Sequence, residues 1–202
     1  MKLKKITAAV CLGLLMAALL LSGCGSEKTE TQTTEIGELS QGSCTVLFTM
    51  EDGQTFTVKC MPEYAPVTVE NFLSLVNSGF YDGLTFHRVL DDFVAQGGDP
   101  NGNGTGGSSD KIRGEFSENG FEQNTLTHKR GSVAMARSND PNSASSQFYI
   151  CYQDLPSLDG KYAVFGQVTD GMEVIDGFLE VPRNSQGMPQ TPITIQSAKI
   201  ID

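Results

Sequence analysis

"CTVLFTMEDGQTFTVKC" (residues 44–60) predicts a β-hairpin, because two β-type segments flank a short polar turn. The segments cover residues 44–50 and 55–60, and a three-residue loop at 51–53 joins them. Such a hairpin places Cys44 directly opposite Cys60. A disulfide between these cysteines and two free buried thiols are both consistent with the sequence.

Six further β-type segments follow the hairpin, separated by clusters of Gly, Asn and Asp. They cover residues 85–90, 93–97, 132–136, 147–152, 163–168 and 193–201. Two other segments, residues 65–80 and 171–180, have the apolar period of a helix. Eight strands favour a closed barrel or a sandwich. The two helices then indicate a mainly β fold, a closed barrel whose ends are capped.

Residues 1–23 have the pattern of a secretory signal peptide. Three lysines among the first five residues precede an apolar run from Ile6 to Leu21, which is too short for a lasting membrane span. The run ends in "LSGC" (residues 21–24), which resembles the lipobox of bacterial lipoproteins. The alternative is an ordinary signal peptide with a chance cysteine. We expect lipidation at Cys24, with acyl chains that hold the mature protein on a membrane surface.

The remaining chain divides into a tether and one domain. Residues 24–42 are rich in Thr, Glu and Gly and nearly lack large apolar side chains, which predicts a flexible tether behind the lipidated cysteine. Residues 43–202 are long enough for one domain with a substantial core. Removing residues 1–23 takes away three of 14 basic residues and none of the 24 acidic ones, leaving a net charge of −13. We expect no nucleic-acid binding by so acidic a chain.

Few side chains are arranged for covalent or metal chemistry. No G-x-S-x-G is present, and although His128, Ser132 and an aspartate would make a triad, nothing in the local sequence specifies one. His87 and His128 are the only histidines, and their separation of 41 positions gives no metal-ligand spacing. "GNGTGG" (residues 102–107) matches G-x-G-x-x-G, but no helical period follows it. We interpret it as a loop that lets a peptide approach its bare N–H groups.

A polar and aromatic set remains on the β-type segments. Arg88, Phe93 and Gln96 lie in "TFHRVLDDFVAQGGDP" (residues 85–100), and "SQFYI" (146–150) follows further along the chain. On alternate strand positions, these residues would present an arginine and two glutamines beside an aromatic pocket. An ordinary barrel wall with a few outward polar residues is the other interpretation, and the pattern alone favours neither.

Six motifs in this order and at this spacing resemble the cyclophilins, which are peptidyl-prolyl cis/trans isomerases. They are "TFHRV" (85–89), "FVAQGGDP" (93–100), "NGTGG" (103–107), "GSVAMA" (131–136), "SSQFYI" (145–150) and "LDGKYAVFGQV" (158–168). The similarity runs from about Ser43 to Asp202. It implies an eight-stranded antiparallel barrel closed by two helices, with the active site on its outer face and no cofactor or metal.

The resemblance also implies roles for single residues. Arg88 matches the catalytic arginine of the family, Gln96 its partner, and Phe93 a wall of the proline pocket. The implied substrate-binding residues are Val94, Gly104, Ala136, Arg137, Gln147, Phe148, Tyr149, Leu158 and Tyr162. Three of these depart from the family pattern: Val94 replaces a longer residue, Tyr149 replaces the usual phenylalanine, and Tyr162 falls where many members carry a histidine.

These features together predict a monomeric, lipid-anchored isomerase that acts outside the cytoplasm on Xaa-Pro segments of exported proteins. A non-catalytic module that holds proline-containing peptides in the same groove is the alternative. The presence of Arg88 argues against that alternative, because a pure binder would not need the arginine.

Overall fold

The computed structural model describes residues 44–202, so the expected signal peptide, lipidation site and tether lie outside the described residues. Within this range the chain forms eight strands and two α-helices. In chain order these are β1 Cys44–Met50, β2 Thr55–Cys60, α1 Pro66–Asn77, β3 Arg88–Val89, β4 Val94–Gly97, β5 Ser132–Met135, β6 Phe148–Cys151, β7 Val164–Asp170, α2 Met172–Gly177 and β8 Ile195–Ile200. None of the helices between residues 44 and 202 has the length and apolar character to cross a bilayer.

The predicted hairpin is formed by β1 and β2. Cys44 pairs in register with Cys60, as the loop length predicts, and alternate residues of β1 are buried. Both cysteines are free thiols, as is Cys151 on β6, and all three are buried. Of the two alternatives that the sequence allowed, a Cys44–Cys60 disulfide and two free buried thiols, the structure has the free thiols.

All eight strands belong to one antiparallel sheet in the order β3-β4-β6-β5-β7-β2-β1-β8. This sheet is an open half-barrel, so the prediction of a closed barrel is wrong. The chain ahead of β3 meets the start of β8 through an isolated bridge between Thr85 and Thr194 and a few backbone hydrogen bonds around it, such as that from the Gly83 N–H to the Ile195 carbonyl at 2.8 Å. β3 and β8 are the two edge strands of the sheet, and the Val89 N–H of β3 donates to the Gly187 carbonyl at 2.7 Å.

Both predicted helices are present, and α1 has an unusual N-terminal cap. Pro66 opens the helix at a position that needs no N–H, while the buried Glu115 carboxylate accepts the N–H groups of Val67 and Thr68 at 3.0 and 2.7 Å. A negative charge at this end is also favoured by the helix dipole. Phe72 and its apolar neighbours then pack α1 against the sheet.

Alternation along the strands separates two apolar clusters. The main core lies inside the half-barrel and is dominated by aromatic rings, among them Phe48, Phe72 and Phe148. A smaller cluster covers part of the opposite face of the sheet. Its buried members are Val94, Ala134, Tyr149, Cys151, Leu155 and Val164. Because successive strand residues point to opposite faces, this outer cluster forms a floor on which a surface site can be built.

Candidate active site

Arg88 and Gln96 are brought together by the short β3–β4 hairpin. They are directly opposite in register, and Arg88 Nη1 donates to Gln96 Oε1 at 3.3 Å. The turn between the strands contains Asp92 with a φ of 55°, in the left-handed region. Phe93 follows, and its ring centroid lies 5.7 Å from the Arg88 guanidinium carbon, close enough for a cation–π contact.

The hydrogen bonding continues from Gln96 through a second amide. Gln96 Nε2 donates to Gln147 Oε1 at 2.8 Å, and Gln147 Nε2 donates to the Gly106 and Gly104 carbonyls at 2.7 and 3.2 Å. Each amide therefore accepts through its oxygen and donates through its nitrogen, which fixes the orientation of both side chains. The arginine is linked through two amides to the glycine-rich loop.

That loop, residues 98–108, is held by the buried Asp99 carboxylate. Asp99 accepts the backbone N–H groups of Asn101, Asn103 and Gly104 at 2.8, 3.1 and 2.6 Å. Burial raises the pKa of Asp99, but these hydrogen bonds outweigh burial and lower it overall. Gly104 has a φ of 87°, which side-chain-bearing residues rarely adopt. The sequence interpretation as a loop is confirmed, since no helix follows these glycines.

A pocket of about 200 Å³ includes Arg88 in its wall, and most of its other lining side chains are apolar or aromatic. Its lining residues are Arg88, Phe93, Val94, Gln96, Ala136, Arg137, Tyr149, Leu158 and Tyr162. The volume is below the roughly 300–1,000 Å³ of pockets that enclose a drug-sized ligand, so it suits a single side chain or ring. These nine residues are all among those that the sequence placed at the site.

A larger neighbouring cavity of about 340 Å³ shares Gln96, Ala136 and Arg137 with this pocket. Gly104 and Gln147 line the larger cavity only. The two cavities together provide an apolar recess next to a polar cleft with exposed carbonyl and amide groups. This arrangement fits an extended peptide with one apolar side chain inserted.

Phe148 is the predicted site residue that does not reach either cavity. It is fully buried in the main core, against Phe48, Phe72, Tyr81 and Phe86. Its neighbour Tyr149 lines the pocket, and adjacent residues of a strand cannot share a face. The pocket assignment for Phe148 is therefore corrected to a core residue.

Arg137 is held between two aromatic rings. Its guanidinium carbon lies 4.6 Å from the Tyr162 ring centroid and 5.1 Å from that of Phe116. Its Nε and Nη2 atoms both donate to the Lys161 carbonyl, at 3.2 and 2.8 Å. This arginine therefore braces the segment that carries Tyr162 and forms a wall between the two cavities.

Behind the pocket lies a group that the sequence did not predict. His128 Nδ1 is 2.8 Å from Asp159 Oδ1, and its Nε2 is 2.9 Å from the Tyr149 hydroxyl. Burial lowers the pKa of His128, partly offset by the Asp159 carboxylate, and burial raises that of Tyr149 well above its usual value. Ser132, the sequence candidate for a triad with His128, instead bonds the Lys129 N–H and the Thr127 carbonyl.

His87, the histidine beside Arg88, takes no part in this network. It is buried, and neither ring nitrogen has a hydrogen-bond partner within the described part of the chain. Burial lowers the pKa of His87, and the positive charge of Arg88 acts in the same direction, with Asp99 opposing both. A neutral ring without partners is a poor candidate for proton transfer.

Eight antiparallel strands, two helices and an arginine beside a pocket on the outer face are features that the resemblance to the cyclophilins implies. Residues 45–200 match the family model described as "Cyclophilin type peptidyl-prolyl cis-trans isomerase/CLD". The chain belongs to this family and is a peptidyl-prolyl cis-trans isomerase.

Several relatives carry the same description. Peptidyl-prolyl cis-trans isomerase B of Bacillus subtilis is 47% identical over 126 residues, which is 62% of this chain and 84% of that protein. Peptidyl-prolyl cis-trans isomerase-like 1 of Neurospora crassa is 40% identical over 147 residues, 73% of this chain and 88% of that protein. A crystal structure of a Cryptosporidium parvum cyclophilin type isomerase superposes with a TM-score of 0.72 at 30% identity, covering 80% of this chain and 99% of that one. A second structure of that isomerase, obtained with the dipeptide Ala-Pro, has a TM-score of 0.71 at 31% identity, covering 78% and 99% of the two chains.

Proposed function

We propose that this isomerase catalyses rotation about Xaa-Pro bonds of exported proteins at the outer face of a bacterial membrane, with Arg88, Gln96 and Phe93 as its catalytic residues. The observation that carries the catalytic part is the position of Arg88. Its guanidinium lines the apolar pocket and is fixed from the side by Gln96, so a charged donor faces the space where a proline ring would sit.

The reaction needs a donor of this kind. An amide resists rotation by about 18–20 kcal/mol, because the nitrogen lone pair is delocalised into the carbonyl. The cis and trans forms of an Xaa-Pro bond differ by only about 0.5–1 kcal/mol, so the difficulty is one of rate. In the twisted transition state the lone pair is localised on the nitrogen and accepts a hydrogen bond that the planar amide does not accept.

Arg88 is suited to stabilise that twisted state. A guanidinium directed at the proline nitrogen binds the transition state more strongly than either planar isomer, which lowers the barrier. Because the fork carries several N–H groups, one side contacts the substrate while Nη1 stays bonded to Gln96. No bond is broken, so no nucleophile or general base is required.

The two cavities would bind different parts of the substrate, the proline ring and the peptide main chain. The smaller one, with Phe93, Tyr149 and Leu158 among its walls, would hold the proline ring in place. The larger one presents Gln147 and the Gly104 backbone to the peptide main chain on the other side of the bond. Holding one side of the bond while the other turns is the positioning that rotation requires. A structure of the related Cryptosporidium parvum isomerase was obtained in the presence of the dipeptide Ala-Pro, which supports an Xaa-Pro substrate.

The location rests on the N-terminal sequence. A basic start, an apolar run from Ile6 to Leu21 and the box ending in Cys24 favour export followed by lipidation. Residues 25–42 would then tether the domain to the membrane. Prolyl isomerisation takes about 10–100 s without a catalyst and limits the folding of many chains, so exported proteins that refold after transport have a use for such an enzyme.

The location is tested by separating membranes from soluble fractions of producing cells. Wild-type protein should sediment with membranes and carry acyl chains by mass spectrometry, and Cys24→Ser should abolish both. Membrane association that survives Cys24→Ser would contradict the lipid anchor. The catalytic part is tested separately, by the rate of Xaa-Pro isomerisation with and without the Arg88 side chain.

A further inference from the structure

We propose that His128 and Asp159 are positioning residues for the isomerase, which hold Tyr149 so that the pocket meets the proline ring with the face of the phenol and not with its hydroxyl. This inference rests on the proposed role of the pocket as the proline site. Neither residue lines the pocket, and both act through Tyr149.

His128 is fixed from four directions. Its ring nitrogens contact Asp159 and Tyr149, its backbone N–H donates to the same Asp159 oxygen at 2.7 Å, and its carbonyl accepts the Leu155 N–H at 2.8 Å. Its side chain is fully buried, whereas that of Asp159 is 31% exposed. A ring held in this way has little freedom to follow Tyr149, so it imposes a position on the phenol.

The direction of each hydrogen bond follows from the carboxylate. Asp159 can only accept while it is ionised, so Nδ1 of His128 carries the proton and Nε2 is left with its lone pair. Nε2 must then accept from the Tyr149 hydroxyl at 2.9 Å. The Tyr149 hydroxyl thus donates its hydrogen bond to His128 and not toward the pocket. The pocket then presents the aromatic ring of Tyr149 to the substrate.

One segment of the chain, residues 158–162, contributes both to the pocket and to the hydrogen-bonded group of Asp159, His128 and Tyr149, which we call the relay. Leu158 and Tyr162 line the pocket, and Asp159 directly follows Leu158. The Tyr149 ring meets the Tyr162 ring edge-on at 5.9 Å and stacks beside His128 at 6.0 Å. A movement of Asp159 would therefore reach both aromatic walls at once.

Loss of His128 should act on binding more than on the chemical step. Without its acceptor, the buried Tyr149 hydroxyl has to turn toward the pocket to find water, and it then disturbs the surface that holds proline in every state of the reaction. A contact used equally in ground and transition states appears in KM, while kcat changes less. Arg88 lines the same pocket and is proposed to act in the transition state, so its loss should lower kcat more than it changes KM.

The experiment is a double-mutant cycle on the purified mature protein (residues 24–202), with KM and kcat measured on an Ala-Pro peptide. We expect His128→Leu to raise KM about tenfold in the wild-type background and less than about twofold in the Tyr149→Phe background, where no hydroxyl is left unpaired. Asp154→Asn is the matched control, because Asp154 pairs with the neighbouring Lys129 on the surface and should leave KM unchanged.

Two further measurements keep the test decisive if His128→Leu does not fold. His128→Gln, which retains an acceptor near the Nε2 position, should keep KM within about threefold of wild type. Nitrogen NMR of the wild-type protein should find the proton of His128 on Nδ1. An equal rise of KM in both backgrounds, no rise at all, or a proton on Nε2 would overturn the proposal.

Failure of the proposed function has a different signature. A wild-type protein that does not accelerate isomerisation at all would refute catalysis at this pocket. In that event the same cycle is run with the Kd of the Ala-Pro peptide in place of KM. The dependence of the His128→Leu effect on the Tyr149 hydroxyl then still tests whether His128 positions Tyr149.

Discussion

Arg88 and Gln96 face each other across the β3–β4 ladder, with Arg88 Nη1 3.3 Å from Gln96 Oε1. The partner of this arginine is an amide and not a carboxylate. An amide oxygen fixes the guanidinium without supplying a negative charge, so the full positive charge remains available to the pocket. Gln96 is itself held by Gln147 and, through it, by the glycine-rich loop.

Replacing Gln96 should therefore impair the chemical step. Gln96→Leu removes the hydrogen bond to Arg88, so the long Arg88 side chain can move out of its catalytic position. We expect kcat to fall about tenfold, with KM changed by less than about threefold. Gln123→Leu is the control, because that exposed amide bonds the Glu63 carbonyl away from the site. A rise of KM with unchanged kcat would show that Gln96 binds peptide and does not position Arg88.

The glycine-rich loop offers a test of peptide binding. Gly104→Ala forces a side chain onto a backbone with a φ of 87°, at a cost of about 1–2 kcal/mol in folding stability. Gly53→Ala, in the turn between β1 and β2, imposes the same strain at a φ of 84° with no atom near the added methyl group. Both variants should lose similar stability in urea unfolding, but only Gly104→Ala should raise KM. Equal KM values in the two variants would show that the loop does not contact the peptide.

Local sequence pattern accounts for most of the fold. The hairpin of β1 and β2 was predicted with its bounds, and each of the other strands lies on a predicted segment or overlaps one. Both helices follow the apolar period. These features depend on residues close together in the chain, where alternation and turn chemistry act directly.

The errors arose where distant segments meet. Whether the sheet closes depends on the meeting of β3 with β8, which are 106 positions apart at their nearest ends, and the apolar pattern of each segment carries no information on that meeting. The misplacement of Phe148 had a different cause. The motif "SQFYI" does not say which face of the strand each residue occupies. Because adjacent strand residues point to opposite faces, a Tyr149 that faces the pocket places Phe148 in the core.

The relay behind the pocket had no signal in the sequence. His128 and Asp159 are 31 positions apart, and neither stands in a spacing typical of a catalytic pair. Their contact results from the packing of the loop before β5 against the turn that follows Leu158. Only the folded chain brings this histidine to Tyr149.

Acid should destabilise the protein through its buried histidines. The pKa values of His87 and His128 are both lowered, mainly by burial, so the unfolded chain binds protons more readily than the folded chain. Stability is then fully present above about pH 6.5 and declines as the pH falls below that value. Urea unfolding between pH 7 and 5 measures the decline, in a range above the ordinary titration of carboxylates. His87→Leu should make the decline shallower, and a stability that stays constant or rises on acidification would contradict this.

The number of reactive thiols tests the state of the cysteines. Cys44, Cys60 and Cys151 are free and buried, and burial, with a smaller effect from Asp202, raises the pKa of Cys44 to about 11. Burial raises that of Cys151 to about 12. A mature protein carrying Cys24→Ser should therefore react slowly with Ellman's reagent when folded and release three equivalents when denatured without reductant. One equivalent after denaturation would indicate a Cys44–Cys60 disulfide.

Isomerisation of an Ala-Pro peptide by wild-type protein and by Arg88→Ala is the most direct measurement of whether the guanidinium drives bond rotation. We expect Arg88→Ala to lower kcat/KM by about 100-fold or more, mainly through kcat, because the donor acts in the transition state. Arg113→Ala is the matched control, since its guanidinium also lies over a phenylalanine ring, at 5.8 Å from that of Phe121, but outside both cavities. Equal rates for Arg88→Ala and wild type would contradict the mechanism, whereas a selective loss with Arg88→Ala is the predicted result.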